Sequence, residues 1–339
     1  MTDTRHDTET SEFEGAAERA AETQREIQDG IDAKEEKSFQ PKQDGGEDRP
    51  PRTGAREYPA PPLPRQHLDK PGLEAELDLQ PMYDAPFYKG SDKLKDMVAL
   101  VTGADSGIGR AVAVLFAREG CDVAIAYLEE HEDAEETKRA VEKEGRRAIL
   151  LPGDVSDSNY CKAAVERTVE DLGKLDILVN NAVFQQHAGD IGDITDEQLD
   201  HTLNTNLGGY FRMARAAIPH LGEGSSILMT GSVTGLRGSA ELLDYSMTKG
   251  GIHSFARSLA NSLIGKGIRV NVVAPGPVWT PLNPADRPAG ELKNFGKDTD
   301  MKRPAQPEEI APAFVFLASP QTASYITGEI LPIIGGYGG

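Results

Sequence analysis

The feature that most constrains this chain is a rhythm that begins near Lys95. Seven short apolar runs recur from there to the C-terminus: MVALVTG, DVAIAYL, RAILLPGD, LDILVNNA, SSILMTGS, IRVNVVAPG and EILPII. None alternates apolar with polar residues, as a strand with one wet face does. A strand that is apolar on both sides needs cover on both sides. Between the runs lie stretches with helical spacing, such as IGRAVAVLFAREG and DAEETKRAVEKEG. The second closes on Gly145, a helix C-cap signal. Strand–helix–strand repetition of this kind predicts an α/β fold, with one doubly wound parallel sheet of about seven strands flanked by helices over residues 96–339.

The N-terminal third reads differently. Residues 1–58 are charged and short of large apolar side chains, so they cannot bury enough surface to offset the entropy of ordering. They are expected to form a disordered acidic tail. Within it, EGAAERAAETQREIQDGIDA carries a weak helical pattern with a mostly alanine face, which suits a transient helix or a partner-binding segment less well than a solvated tail. Residues 59–95 form a proline-rich arm, expected to be extended and packed on the domain or on a neighbouring subunit. Its anchors are Tyr58, Leu63, Tyr83, Phe87 and Tyr88.

A net charge of -19 repels phosphate backbones and anionic lipid, which argues against nucleic-acid and membrane-surface partners. The two cysteines, Cys121 and Cys161, build no disulfide framework and suit a reducing compartment. No basic-then-apolar leader opens the chain, and no apolar run approaches the roughly 18 residues of a membrane span. A cytoplasmic protein is expected. The seven histidines, His187 and His201 among them, are scattered and read as surface residues, and no metal-ligand spacing appears.

The first apolar run leads into Thr102-Gly103-Ala104-Asp105-Ser106-Gly107-Ile108-Gly109 and then a helical stretch. Glycines there let the backbone turn tightly and approach a pyrophosphate, while the helix N-terminus offers free N–H groups and a positive dipole end. That context predicts a Rossmann-type dinucleotide site.

The spacing G-x-x-x-G-x-G, with the later motifs, resembles the short-chain dehydrogenase/reductase family over about residues 95–336. The likeness is nearest to the longer bacterial glucose/ribitol dehydrogenase-like, general stress oxidoreductases, on YPAPPLPRQHLDKPG and YLEEHEDAEETKRAVE. The resemblance implies an NAD(P)-dependent oxidoreductase acting on a small aldehyde, ketone, sugar or polyol. It implies cofactor contacts from Gly103, Asp105, Ser106, Gly107, Ile108 and Gly109. It adds Tyr127, and it gives Asp154, with its neighbour Val155, contact to the adenine, though Asp154 also suits a helix N-cap. Asn181 and Ala182 match the family's Asn-Asn-Ala-Gly, with Val183 in place of the glycine, which makes that backbone less permissive. Pro275, Gly276, Val278 and Thr280 match the segment facing the nicotinamide. The acids Glu129 and Glu130 after the second run lean the cofactor to NAD over NADP, because a 2′-phosphate needs a cation.

Tyr245-Ser246-Met247-Thr248-Lys249 carries the chemistry. At i and i+4 on a helix, Tyr245 and Lys249 share a face. A free phenol has a pKa of about 10, and an ammonium beside it is expected to lower that value. Ser232 stands thirteen residues before Tyr245, the family's offset for the serine that polarises the carbonyl. Asn206 matches the family asparagine that holds a relay water; an amide that kinks the helix is the alternative. The resemblance then implies reversible hydride transfer with Tyr245 as general acid/base, refilled through Lys249, ribose and water. It also implies a homotetramer. Residues 279–300 read as a mobile lid with few anchors, and Trp279, Phe184, Gln185 and Leu242 as pocket residues. The competing readings are a catalytically silent nucleotide-binding sensor or scaffold, and a stress-protective protein acting through its tail.

Overall fold

The computed structural model describes residues 50–287 and 289–336. The alanine-faced helical pattern at residues 14–33 lies outside the described residues, as does the tail up to residue 49. The seven apolar runs form strands β1 (Val98–Thr102), β2 (Asp122–Tyr127), β3 (Ala148–Pro152), β4 (Ile177–Asn180), β5 (Ser226–Thr230), β6 (Arg269–Pro275) and β7 (Ile330–Ile333). They make one sheet in the order β3-β2-β1-β4-β5-β6-β7, parallel throughout. The chain winds outward from β1 through β2 to β3, then crosses back to lay β4 on the other side of β1. The β1/β4 junction is therefore the switch point, where a crevice opens beyond the strands' C-terminal ends.

The pleat explains why both faces of each strand are apolar. Ala99, Val101, Val123 and Ile125 point into one buried cluster, and Val98, Leu100, Ala124 and Ala126 into the other. Helices α1 (Gly107–Arg118) and α2 (His131–Lys143) help cover the first face. Helix α3 (Ser158–Leu172) helps cover the second. Beyond it run α4 (Asp196–Leu203), a π-helical turn (Asn204–Gly209) and α5 (Tyr210–Ala217). A short α6 (Thr234–Arg237) precedes the long α7 (Leu243–Leu263), which packs on the second face; α8 (Pro307–Ala318) packs on the first, followed by α9 (Pro320–Ala323). Gly145 follows the end of α2 with φ +80°, where a side chain would be strained.

Residues 63–79 run along the segment after β6. Leu63 packs with Trp279 and Leu292, Leu68 and Leu77 pack with Ala285, and Leu68 N donates to Pro284 O at 3.0 Å. Trp279 Nε1 donates to Leu79 O at 2.8 Å. The segment at residues 279–300, expected to be a lid with few anchors, is thus a flap held at Trp279, Pro284, Ala285 and Leu292 by residues from far upstream in the chain. The Arg303 guanidinium lies 4.6 Å from the Tyr58 ring centroid, whereas Phe87 is among the exposed large apolar side chains. No helix among the described residues is long and apolar enough to cross a membrane.

Candidate active site

One cleft of about 620 Å³ opens at the switch point. Its floor is the glycine loop between β1 and α1. Gly103 and Gly107 adopt φ +61° and +52°, and a Cβ on Gly109 would stand 1.9 Å from Gly103 O, so this loop closes only with glycine there. Ser106 is the extended N-cap of α1, and its hydroxyl donates to Asp105 at 2.7 Å. Burial, reinforced by the charge of Glu130, pushes the Asp105 carboxyl up to about 7. Asn181 stitches the loop to the sheet: its Nδ2 donates to Gly103 O at 2.9 Å and its Oδ1 accepts from Thr230 Oγ1 at 2.9 Å. The Asn181 and Ala182 N–H groups both donate to Thr102 Oγ1, at 2.9 and 3.0 Å. Val183 is absent from the positive-φ residues, so the side chain that replaces glycine costs no backbone strain.

Every expected cofactor residue lines this cleft except Gly109, which acts on the loop from behind. Tyr127, Glu129 and Glu130 stand at one end with Asp154 and Val155; Pro275, Gly276, Val278 and Thr280 stand at the other. Asp154 accepts from Ser156 N at 2.7 Å and forms a turn. The N-cap of α3 is Asp157, which accepts from Asn159 N at 2.8 Å, so the cap reading of Asp154 is corrected.

Tyr245, Lys249 and Ser232 converge on the cleft wall and are nearly buried. The Lys249 ammonium lies 5.4 Å from the Tyr245 ring centroid and donates to Thr230 O at 2.7 Å. Burial pushes Lys249 down to about 7, and burial also holds the Tyr245 phenol well above its ordinary value against the pull of Ser232. This corrects the expected net fall. Burial strips water from both groups, and that cost falls on the charged form of each. Ser232 Oγ accepts from Thr234 N at 3.1 Å and Thr234 Oγ1 at 3.0 Å, and its hydroxyl also hydrogen-bonds the Tyr245 phenol.

Asn206 does not line the cleft. It sits in the π turn, where its Oδ1 accepts from Phe184 N at 2.8 Å and its Nδ2 donates to Phe184 O at 2.9 Å and Thr248 Oγ1 at 3.2 Å. Both amide hydrogens are thus used inside the protein. The residue clamps the wall segment after β4 to α7, and π turns recur at functional sites.

Phe184, Gln185 and Leu242 line the cleft, whereas Trp279 does not; its ring is consumed in packing under the arm. Two histidines read as surface residues are not bystanders. His201 lines the cleft and meets Phe184 edge-on at 4.5 Å, and His187 Nδ1 is hydrogen-bonded to Asp286. The Asp286 side chain is fully buried and also accepts from His187 N at 2.7 Å and Gln185 Nε2 at 2.6 Å, which hooks the flap onto the wall. These donors hold the Asp286 carboxyl below its usual range despite burial. Lys70, Pro71 and Gly72 of the arm close the same side of the cleft, with Lys70 Nζ donating to Gln185 O at 2.7 Å. No sequence pattern announced Lys70 or Asp286. Among the described residues no cluster of three or more histidine, cysteine or acidic side chains could hold a metal ion.

A switch-point crevice floored by a glycine loop, with a Tyr–Lys pair on its wall, defines a nicotinamide-dependent oxidoreductase. A family model described as enoyl-(acyl carrier protein) reductase matches residues 103–338. An "Uncharacterized oxidoreductase YhdF" of Bacillus subtilis is 53% identical over 272 residues, which cover 80% of this chain and 94% of that one. The "Glucose and ribitol dehydrogenase" of Daucus carota is 46% identical, over 80% of this chain and 96% of that one. A short chain dehydrogenase of Burkholderia cenocepacia, solved in complex with NADP, is 35% identical with a TM-score of 0.67, over 72% of this chain and 98% of that one. The chain belongs to the short-chain dehydrogenase/reductase family.

Proposed function

We propose that this protein interconverts a small carbonyl compound and its alcohol, using a nicotinamide cofactor, with Tyr245 as the general acid/base. The reading rests on one observation above the rest: Tyr245, Ser232 and Lys249 share the wall of the same cleft whose floor is the glycine loop. That floor suits the cofactor. Its three glycines stand where any Cβ would meet backbone or the Thr280 side chain, and the N-terminus of α1 opens onto it. When bound, the cofactor supplies or takes up the hydride.

The residues do the rest. Ser232 donates a hydrogen bond to the substrate oxygen. Tyr245 donates its phenolic proton to that oxygen during reduction and recovers one from it during oxidation. Lys249, whose ammonium lies 5.4 Å from the Tyr245 ring centroid, would hold the cofactor's ribose and, when charged, favour the phenolate. The π turn at Asn206 keeps the wall segment in place, and solvent would refill the proton through the ribose and Lys249. The spacing of Tyr and Lys by four favours this chemistry over enoyl reduction, whose branch spaces them by seven.

The adenosine end is lined by the acids Asp105, Glu129, Glu130 and Asp154, whereas the cleft's lysines and arginine, Lys70, Lys249 and Arg287, belong to the catalytic end. Acids suit a free ribose 2′-hydroxyl, which favours NAD, although the Burkholderia relative was solved with NADP. The family resemblance implies a homotetramer, and exposed Phe211 on α5 and Met247 on α7 are candidates for its buried surface. We place the protein in the cytoplasm. The deciding experiment is a panel of aldehydes, ketones, sugars and polyols with both cofactors. Turnover of at least one carbonyl–alcohol pair is expected, faster with NAD(H). Cofactor binding without turnover on any member would instead establish the sensor reading.

A further inference from the structure

The family match begins at residue 103, yet the glycine loop is held by a residue outside it. Glu74 lies in the arm and its side chain is fully buried. Its Oε2 accepts from Gly107 N at 2.7 Å, and its Oε1 accepts from Arg110 Nη1 at 2.6 Å. Both donors belong to the first turn of α1.

Arg110 is itself fixed from several sides. Its Nε donates to Asp105 O at 2.8 Å and to Thr137 Oγ1 at 2.9 Å, and its Nη2 pairs with Asp133 at 3.3 Å. Asp133 on α2 returns to the arm, accepting from Glu74 N at 2.6 Å and Ala75 N at 3.2 Å. The circuit Glu74–Arg110–Asp133 is buried throughout. Glu74 is absent from the cleft lining, so it reaches Gly107 from behind the loop. On its other side Gly107 faces the flap, where an added Cβ would stand 3.0 Å from Thr280 Cγ2.

Gly107 sits at φ +52°, a conformation the loop needs in order to enter α1. Its N–H is one of the donors that an α-helix leaves without an internal partner, and water does not reach it here. Without Glu74, that N–H and the Arg110 guanidinium both lose a charged acceptor in a buried place. The cheapest relief is for the loop to shift.

We propose that Glu74 is a positioning residue for the nicotinamide nucleotide, so that the arm forms part of the cofactor site by holding the glycine loop in its binding shape. This rests on the nucleotide reading above. Glu74 touches no reacting atom and acts through Gly107 and Arg110.

The test uses the full chain with Glu74→Ala and Glu74→Gln. NADH and NADPH dissociation constants are measured by fluorescence titration, alongside kcat, KM for cofactor, KM for carbonyl and thermal melting. For Glu74→Ala we expect the cofactor constants to rise about tenfold, the size of one lost charge-assisted hydrogen bond. Both kcat at saturating cofactor and the carbonyl KM should stay within about twofold. Glu74→Gln keeps an acceptor for the Gly107 N–H and should recover most of the loss. If the alanine variant does not fold, the glutamine variant decides, with a rise of about threefold expected. Unchanged cofactor constants overturn the proposal. So does an equal loss in kcat and carbonyl KM together with a lowered melting temperature, because that marks a merely structural residue. Failure of the underlying reading shows separately, as a native protein that binds neither NADH nor NADPH.

Discussion

Replacing Asp286 with alanine removes the acceptor that hooks the flap to the cleft wall. Three donors converge on this carboxylate: the His187 N–H at 2.7 Å, Gln185 Nε2 at 2.6 Å and His187 Nδ1. Gln185 is buried and His187 nearly so. Leaving one buried donor unpaired costs about 1–3 kcal/mol, so the two firm donors together cost about 2–6 kcal/mol. At roughly 2–4 °C per kcal/mol for a domain of this size, the melting temperature falls by several degrees at the least. The same change frees Gln185 and Phe184, which line the catalytic end, so the carbonyl KM should rise while the cofactor Kd stays close to native. Asp286→Asn, which retains one acceptor oxygen, should fall between. The assay pairs denaturant unfolding with steady-state kinetics. A stability change of less than about 0.5 kcal/mol, the usual range of a neutral surface substitution, would refute the hook.

Further outcomes follow from other parts of the site. Gly109→Ala would place a Cβ 1.9 Å from Gly103 O, so the loop must move, and a titration should show cofactor Kd raised by about tenfold or more. Asp105 has a folded-state pKa raised to about 7, so its native form holds a proton that the unfolded chain releases near pH 4. Stability from this group is therefore fullest below pH 4 and declines as pH rises through 7. Asp105→Asn should stabilise the protein at pH 8 and not at pH 4, as read by melting curves. A double change of Phe211→Asp and Met247→Glu, placing charge on two exposed apolar residues of α5 and α7, should shift the sedimentation coefficient of the proposed tetramer toward smaller species, and a native protein that sediments as a monomer would refute the tetramer.

How much of this was legible beforehand depends on the range of each signal. The strands were readable because two-sided burial writes itself locally, as unbroken Val, Ile and Leu runs. The glycine loop and the Tyr245–Lys249 pair were readable because a single turn or helix face brings their residues together. Glu74, Lys70 and Asp286 left no such trace. Glu74 meets Gly107 and Arg110 across 33 and 36 positions, and Gln185 meets Asp286 across 101. A lone acid in a charged chain looks like a solvated one. Trp279 was misplaced for the same reason, since its partners Leu63 and Leu79 lie in the arm. The direction of the Tyr245 shift is not legible in the sequence, because charge is written there and desolvation is not.

The proposed reaction depends on a phenol in the cleft wall passing a proton to and from the substrate oxygen. The most direct measurement is a single-turnover oxidation of enzyme-bound NADH by a carbonyl substrate, native against Tyr245→Phe. Turnover by the phenylalanine variant is expected to be slower by about 10²–10⁴-fold, the usual contribution of a positioned general acid, with cofactor affinity close to native. A phenylalanine variant that turns over within a few-fold of the native rate would contradict it.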